Sequence, residues 1–151
     1  MFKIIEIKGV ERLLKGLEDL AKAPERVHGA LVKTGMVVQA NARANLDLKG
    51  TTNTGRLSQS IEIEDRPFEN AVIVGTNVQY APFVEFGTRP HMPPVEPLVE
   101  WARLKLGNGK AGYAVAKAIA KRGTKPKPFM RPAVRVGQQF FGQYVRRVFM
   151  K

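Results

Sequence analysis

PERVHGALVKTGMVVQANARANL, Pro24 to Leu46, reads as one long helix. Val27, Leu31, Thr34, Val38, Ala42 and Leu46 recur at three- and four-residue spacing, which puts them on one face of a helix. Ala30, Val37 and Ala44 widen that face. The helix is therefore expected to be covered on more than one side, and its small residues allow a neighbour to come close. Pro24 suits a first helical turn, where its missing N–H would have no partner anyway.

Toward the N-terminus, Val10, Leu13, Leu14, Leu17, Leu20 and Ala21 form the apolar stripe of another amphipathic helix. Gly9 separates it from Phe2 to Lys8, which reads as a short strand. Toward the C-terminus, DLKGTTNTG (Asp47 to Gly55) is polar and holds two glycines. It reads as a loop, either a plain connection or an arm that orders on assembly. Leu57 to Glu64 reads as a strand, with Ile61 and Ile63 on one face and Glu62 and Glu64 on the other. Pro67 stops it, and Ala71 to Gly75 is the next strand. The short connection between them predicts an antiparallel pair.

Two further stretches read as surfaces built to dock. They are YAPFVEFGTRP (Tyr80 to Pro90) and PFMRPAV (Pro128 to Val134). Between them, four prolines at 90, 93, 94 and 97 lead into a helix from Val95. Its apolar face is Leu98, Val99, Ala102 and Leu106, with Trp101 beside it, and Gly107 to Gly109 end it. A second helix, Tyr113 to Arg122, turns Val115, Ala116, Ile119 and Ala120 inward and Lys117 and Lys121 outward. Gly123 ends it, and KPKP leads out in extended form. A last helix starts at about Arg131, with Phe141, Tyr144, Val145 and Val148 on one face and Arg135, Gln139 and Arg146 opposite. No internal repeat or low-complexity tract stands out. The expected architecture is α+β, one domain over 1–151. Long N-terminal helices pack on a small antiparallel sheet, a basic two-helix insertion falls at about 91–127, and a C-terminal helix closes the chain.

The chain of 151 residues has no cysteine, which excludes a disulfide scaffold, a thiol nucleophile and cysteine-ligated zinc. No apolar run approaches the ~20 residues that span a bilayer, and Lys3 and Glu6 interrupt the apolar N-terminus, so a soluble, unexported protein is expected. The net charge of +12 is segregated. Residues 1–100 carry 12 Lys and Arg against 13 Asp and Glu, whereas 101–151 carry 13 Lys and Arg and no acid. That asymmetry suits a polyanion or an acidic partner surface, or simply a solvated basic face.

Catalytic signatures are sparse. His28 and His91 have no co-ligands at metal-binding spacing, and a catalytic zinc wants three. Ser58 and Ser60 lie in strand-like sequence without a nucleophile elbow. GNGKAG (Gly107 to Gly112) lacks the glycine spacing of a phosphate loop and the Ser or Thr after its lysine. Pro94-Val95-Glu96-Pro97 fits PxxP but serves as a helix lead-in. Glu85 stands among Tyr80, Phe83, Val84 and Phe86, where a carboxylate needs a partner. Arg56, Arg89, Arg131 or a neighbouring subunit could supply it.

TGRLSQSI (Thr54 to Ile61), YAPFVEFGT (Tyr80 to Thr88) and PFMRPAV, in that order, resemble a family of tailed-bacteriophage proteins named after gene product ten of a lambdoid siphophage. Its members are described as minor tail components or head–tail joining (connector, neck, tail-completion) proteins. The resemblance implies a structural virion protein with an α+β fold, assembled as an oligomeric ring between portal and tail. It implies no enzymatic activity and no cofactor. Tyr80, Glu85, Gly87 and Thr88 match the central motif; Phe129, Arg131, Pro132 and Ala133 match the C-terminal one. The stretch 91–127 departs from shorter relatives. The implied partners are further copies of the chain and other connector and tail proteins, with non-specific contact to DNA in transit and none to membrane. The implied location is the head–tail interface of the virion, after assembly in the host cytoplasm.

The candidate interface residues are Tyr80, Phe83, Glu85, Gly87, Thr88, Arg89, Phe129, Arg131 and Pro132. Candidates to face DNA or an acidic partner are Lys110, Lys117, Lys121, Arg122, Lys125 and Lys127. The alternative is a basic nucleic-acid-binding module, with Trp101, Tyr113, Phe140 and Phe141 as stacking rings. A nuclease would need a clustered acidic or histidine set, which the sequence does not offer.

Overall fold

The computed structural model describes residues 2–6, 24–48 and 55–149. The expected helix at 10–21 and most of the expected loop at 47–55 lie outside them. In chain order the elements are β1 (Phe2–Glu6), α1 (Pro24–Leu48), the single turn α2 (Arg56–Gln59), β2 (Glu62–Arg66), β3 (Ala71–Thr76), α3 (Ala81–Phe86), α4 (Val95–Leu106), α5 (Lys110–Arg122) and α6 (Met130–Phe149). This is an α+β fold. Two compact units divide the chain: Met1–Gln79 with Pro128–Lys151, and Tyr80–Lys127.

The first unit is built on α1. Val27, Ala30, Leu31, Thr34, Val38, Ala42 and Leu46 are all buried, as the periodicity predicts. Val37 is half-buried, and Ala44 is exposed instead of widening the buried face. On one side α1 meets an antiparallel sheet of order β1-β3-β2. A Cβ on Gly35 would stand 2.7 Å from Val72 Cγ1 and 3.5 Å from Ile63 Cγ2, so helix and sheet touch where a side chain is missing. On the other side lies α6. A Cβ on Gly137 would collide with Val38 Cγ2 and sit 3.4 Å from Thr34 Cγ2. Asn45 Nδ2 donates to the Phe129 carbonyl (3.0 Å), and Lys33 Nζ donates to Tyr144 Oη (3.3 Å) while lying 5.1 Å from the ring centroid. The order of these contacts makes α1 and α6 antiparallel.

Strand β3 is central. Its residues Val72 to Thr76 are all buried, and it pairs with β2 in the register Ile63↔Val74 and Asp65↔Val72. Ile63, Val72 and Val74 therefore share the face toward α1, together with Asp65, whose Oδ1 is 2.9 Å from His28 Nε2. The expected strand at 57–64 begins late. Gly55, at φ 73, opens a helical turn, so Leu57 to Gln59 are helical and β2 starts at Glu62. Side chains of α1 account for this. Gln39 Nε2 donates to the Ile61 carbonyl (2.7 Å), and Arg43 donates to the carbonyls of Ser58 (3.1 Å) and Ile61 (2.9 Å). Carbonyls that a strand would offer to a neighbour are held by the helix instead.

A matched pair on α6 tests the packing. Replacing an open helical glycine with alanine stabilises by up to about 1 kcal/mol, and a Cβ on Gly142 meets nothing within 4 Å. Gly142→Ala should therefore raise the urea midpoint. Gly137→Ala should lower it, because overpacking of about 1–3 kcal/mol outweighs the helix preference.

Candidate functional site

Ala81–Phe86, capped by Tyr80, forms a short helix where the sequence suggested a docking turn. The arrangement of α3 is inverted. Ala81 and Glu85, four residues apart, are fully buried, while Tyr80, Phe83 and Phe86, at three-residue spacing, are 41%, 59% and 59% exposed. A soluble helix ordinarily turns rings inward and acids outward. Here three rings form an outward stripe and the carboxylate is inside, where burial demands that it be engaged. Glu85, Arg56 and Arg131 are each engaged in interactions.

At the end of α3, Gly87 takes φ 74 and ψ −176. Gly123, at the end of α5, takes φ 71 and ψ −162. Both lie in a region essentially restricted to glycine. Each is packed on backbone. A Cβ on Gly87 would strike the Thr124 carbonyl and approach Pro126 N to 2.9 Å; one on Gly123 would strike the Thr88 carbonyl and approach Arg89 C to 2.8 Å. Thr88 and Thr124 form an isolated antiparallel bridge. Thr88 N donates to the Thr124 carbonyl (3.1 Å), Thr124 N donates to Thr88 Oγ1 (3.0 Å), and the two hydroxyls are 3.1 Å apart. Lys127 N donates to the Val84 carbonyl (2.8 Å). The two ends of the second unit are thus clamped to each other.

The clamp reveals a repeat that sequence reading alone misses. Gly87-Thr88-Arg89-Pro90 and Gly123-Thr124-Lys125-Pro126 share the pattern Gly-Thr-cation-Pro. The signal is present, but the two copies are only four residues long and stand 36 positions apart. Only their pairing gives them meaning. Arg89 and Lys125, the matching cations, are both exposed. His91 Nδ1 donates to the Arg89 carbonyl at 2.9 Å.

Between the clamped ends, α4 and α5 pack closely. A Cβ on Gly112 would lie 2.6 Å from Val99 Cα and N. Gly112 and Ala116 are buried, whereas Lys110, Lys117, Lys121 and Arg122 are exposed, as are Lys125 and Lys127 beyond the helix. Helix α5 begins at Lys110, three residues before its expected start, and Leu106 of α4 is 57% exposed, not part of a buried face. An open cleft of about 510 Å³ is lined by Val95, Glu96, Val99, Glu100, Arg103 and Tyr113.

The C-terminal candidates separate in kind. Phe129 is fully buried, with its carbonyl held by Asn45, so it is a core residue, not a surface contact. Glu85 is likewise beneath the surface. Arg131 is exposed and Pro132 half-buried. Among the described residues no group of three or more His, Asp or Glu is placed to hold a metal ion. Ser60 Oγ donates to the Leu57 carbonyl (2.9 Å) and lies 2.6 Å from Thr76 Oγ1, so the Thr76 hydroxyl donates to it. No described helix is long and apolar enough to cross a membrane.

A family model described as "Bacteriophage HK97-gp10, putative tail-component" matches residues 11–87. The match covers α1, the sheet strands β2 and β3, and α3, and it stops at the first clamp glycine. The PFMRPAV motif and helices α4 to α6 lie beyond it. No curated protein and no solved structure matches the chain.

The clamp predicts a local effect. Gly87→Ala and Gly123→Ala should each open the ends of the second unit and speed trypsin cleavage between residues 89 and 127. Thr88→Val, which removes the acceptor for Thr124 N, should cost about 1–2 kcal/mol. Gly142→Ala, outside this unit, should leave the cleavage rate there unchanged.

Proposed function

Since the chain belongs to the HK97-gp10-like family of bacteriophage tail components, we propose that it is a structural protein of a tailed-phage or prophage particle that joins head to tail. In this reading it is a neck or tail-completion component, with copies forming a ring between portal and tail. It assembles in the host cytoplasm and resides in the virion at the head–tail interface. It works by docking to further copies and to connector and tail proteins, without catalytic turnover and without a cofactor.

The observation that carries this reading is the inverted helix α3. A chain that ends its work as a monomer gains little from keeping Tyr80, Phe83 and Phe86 in water. Aromatic side chains are over-represented among residues that dominate interface energies. The stripe also lies within the residues that match the family, which supports this reading.

A second reading is favoured by α5. Lys110, Lys117 and Lys121 are exposed on one helix, and Lys125 and Lys127 come after them without an intervening acid. That surface suits the phosphate backbone of nucleic acid, and a joining protein surrounds DNA in transit. Binding of this kind falls steeply with salt, and charge reversal at Lys117, Lys121 and Arg122 together should abolish it.

Electron microscopy of lysates with and without the gene tests the first reading. Loss of the protein should leave DNA-filled heads and separate tails. Tails that are absent or of aberrant length would move the protein to tail assembly. Intact, infectious particles would refute a structural role.

A further inference from the structure

Strand β2 is an edge of the sheet, since the order is β1-β3-β2. Its solvent side is acidic. From Glu62 to Glu69 the chain carries Glu62, Glu64, Asp65 and Glu69 against the single cation Arg66. Asp65 is turned toward His28 of α1, which leaves Glu62, Glu64 and Glu69 for the outside. At the tip of the β2–β3 hairpin stands Phe68, whose exposure is 103% of the reference value. Its ring touches nothing that would shield it from water. A lone exposed ring is ordinary on a protein surface; what sets this one apart is its place at the tip of an acidic edge hairpin.

The tip is held, not loose. Pro67–Glu69 forms a short 3₁₀ turn, closed by Asn70 N donating to the Pro67 carbonyl (3.2 Å), with Asn70 at φ 46 and ψ 44. Arg66 braces the turn, with Nε donating to Glu64 (2.7 Å) and Nη1 to Glu69 (3.4 Å). These hydrogen bonds raise the guanidinium's pKa above its ordinary value. Arrangement before contact reduces the entropy lost on binding.

We propose that this hairpin docks on the basic face of α5 in a second copy of the chain. Phe68 packs on the aliphatic stems of Lys117 and Lys121, and Glu62 and Glu69 meet their ammonium groups. The proposal deepens the assembly reading above and rests on it. Charge complementarity selects the occupant. An acidic hairpin excludes a phosphate chain and asks for a cationic surface. The densest such surface in the sequence is Lys117 to Lys127, with five cations and no acid. Long lysine stems cover an aromatic ring while keeping their charges in water. Each copy offers one hairpin and one basic face, so the contact joins unlike surfaces and propagates head to tail. Exposed ion pairs are individually weak and screened by salt, so the contact should loosen as ionic strength rises.

The test uses the full chain in analytical ultracentrifugation at low and high salt. A hairpin variant carries Glu62→Lys, Phe68→Ala and Glu69→Lys; a face variant carries Lys117→Glu and Lys121→Glu. All five positions are exposed, and circular dichroism checks that both variants fold. The wild-type chain should self-associate at low salt. Each variant alone should be monomeric at the same concentration. An equimolar mixture of the two should associate again, through the intact hairpin on the intact face and through the reversed pair, whose charges are complementary in the opposite sense. Variants that assemble like wild type, a mixture that stays monomeric, or a wild-type chain that is monomeric throughout would each overturn the contact. So would a face variant that assembles normally and has lost only its binding to duplex DNA. The deletion phenotype judges the joining role separately: separate heads and tails, with self-association intact in both variants, would remove this contact and leave the role standing.

Discussion

Helix α1 is packed on two sides at approaches that a larger residue would block. Gly35 lets the sheet in at Val72 and Ile63, and Gly137 lets α6 in at Val38 and Thr34. Polar side chains of the same helix then position the later segments of the chain. Gln39 and Arg43 hold carbonyls before β2, Asn45 holds the start of α6, and His28 meets Asp65 across the sheet face. One helix thus sets the sheet, the turn that enters it and the antiparallel C-terminal helix. Interior packing is dense enough that a single methyl group at such a crossing is felt.

The second unit obeys a different rule. Its helices α4 and α5 fully bury only small residues, Ala102, Gly112 and Ala116, and leave Leu104, Leu106 and Tyr113 exposed. So thin a core is helped by closure of the chain ends. The Thr88–Thr124 bridge and the Lys127–Val84 hydrogen bond supply that closure, and glycines at 87 and 123 make the backbone path sterically allowed. Bringing the ends together costs loop-closure entropy, which these hydrogen bonds and the close backbone packing at the two glycines offset.

Charge and exposed rings divide the surface between the units. The acidic hairpin tipped by Phe68 belongs to the first, and the lysine-rich face of α5 and the aromatic stripe of α3 belong to the second. These surfaces accord with membership in a family of phage tail components.

Periodicity alone determined α1, α4, α5 and α6, because amphipathic spacing is a local property that burial rewards wherever the helix packs. The antiparallel pairing of β2 with β3 was equally legible, since Pro67 and a short connection leave the chain no other simple path. The stretch at 80–90 stood out in the sequence, but its orientation did not. Nothing in the order Tyr80, Phe83, Glu85, Phe86 says that the acid goes in and the rings go out. The strand expected at 57–64 failed at its start because Gln39 and Arg43, about twenty residues earlier, capture its carbonyls. Phe129 reads as a contact residue in the sequence but is fully buried in the fold, at the start of a helix that packs on α1. The Gly-Thr-cation-Pro repeat was written in the sequence but had no meaning until Thr88 met Thr124. Local pattern fixes that an element forms and roughly which stripe turns inward; which residues of that stripe are buried, which polar group is enclosed, and which distant segments pair are decided by tertiary contacts that no window of sequence contains.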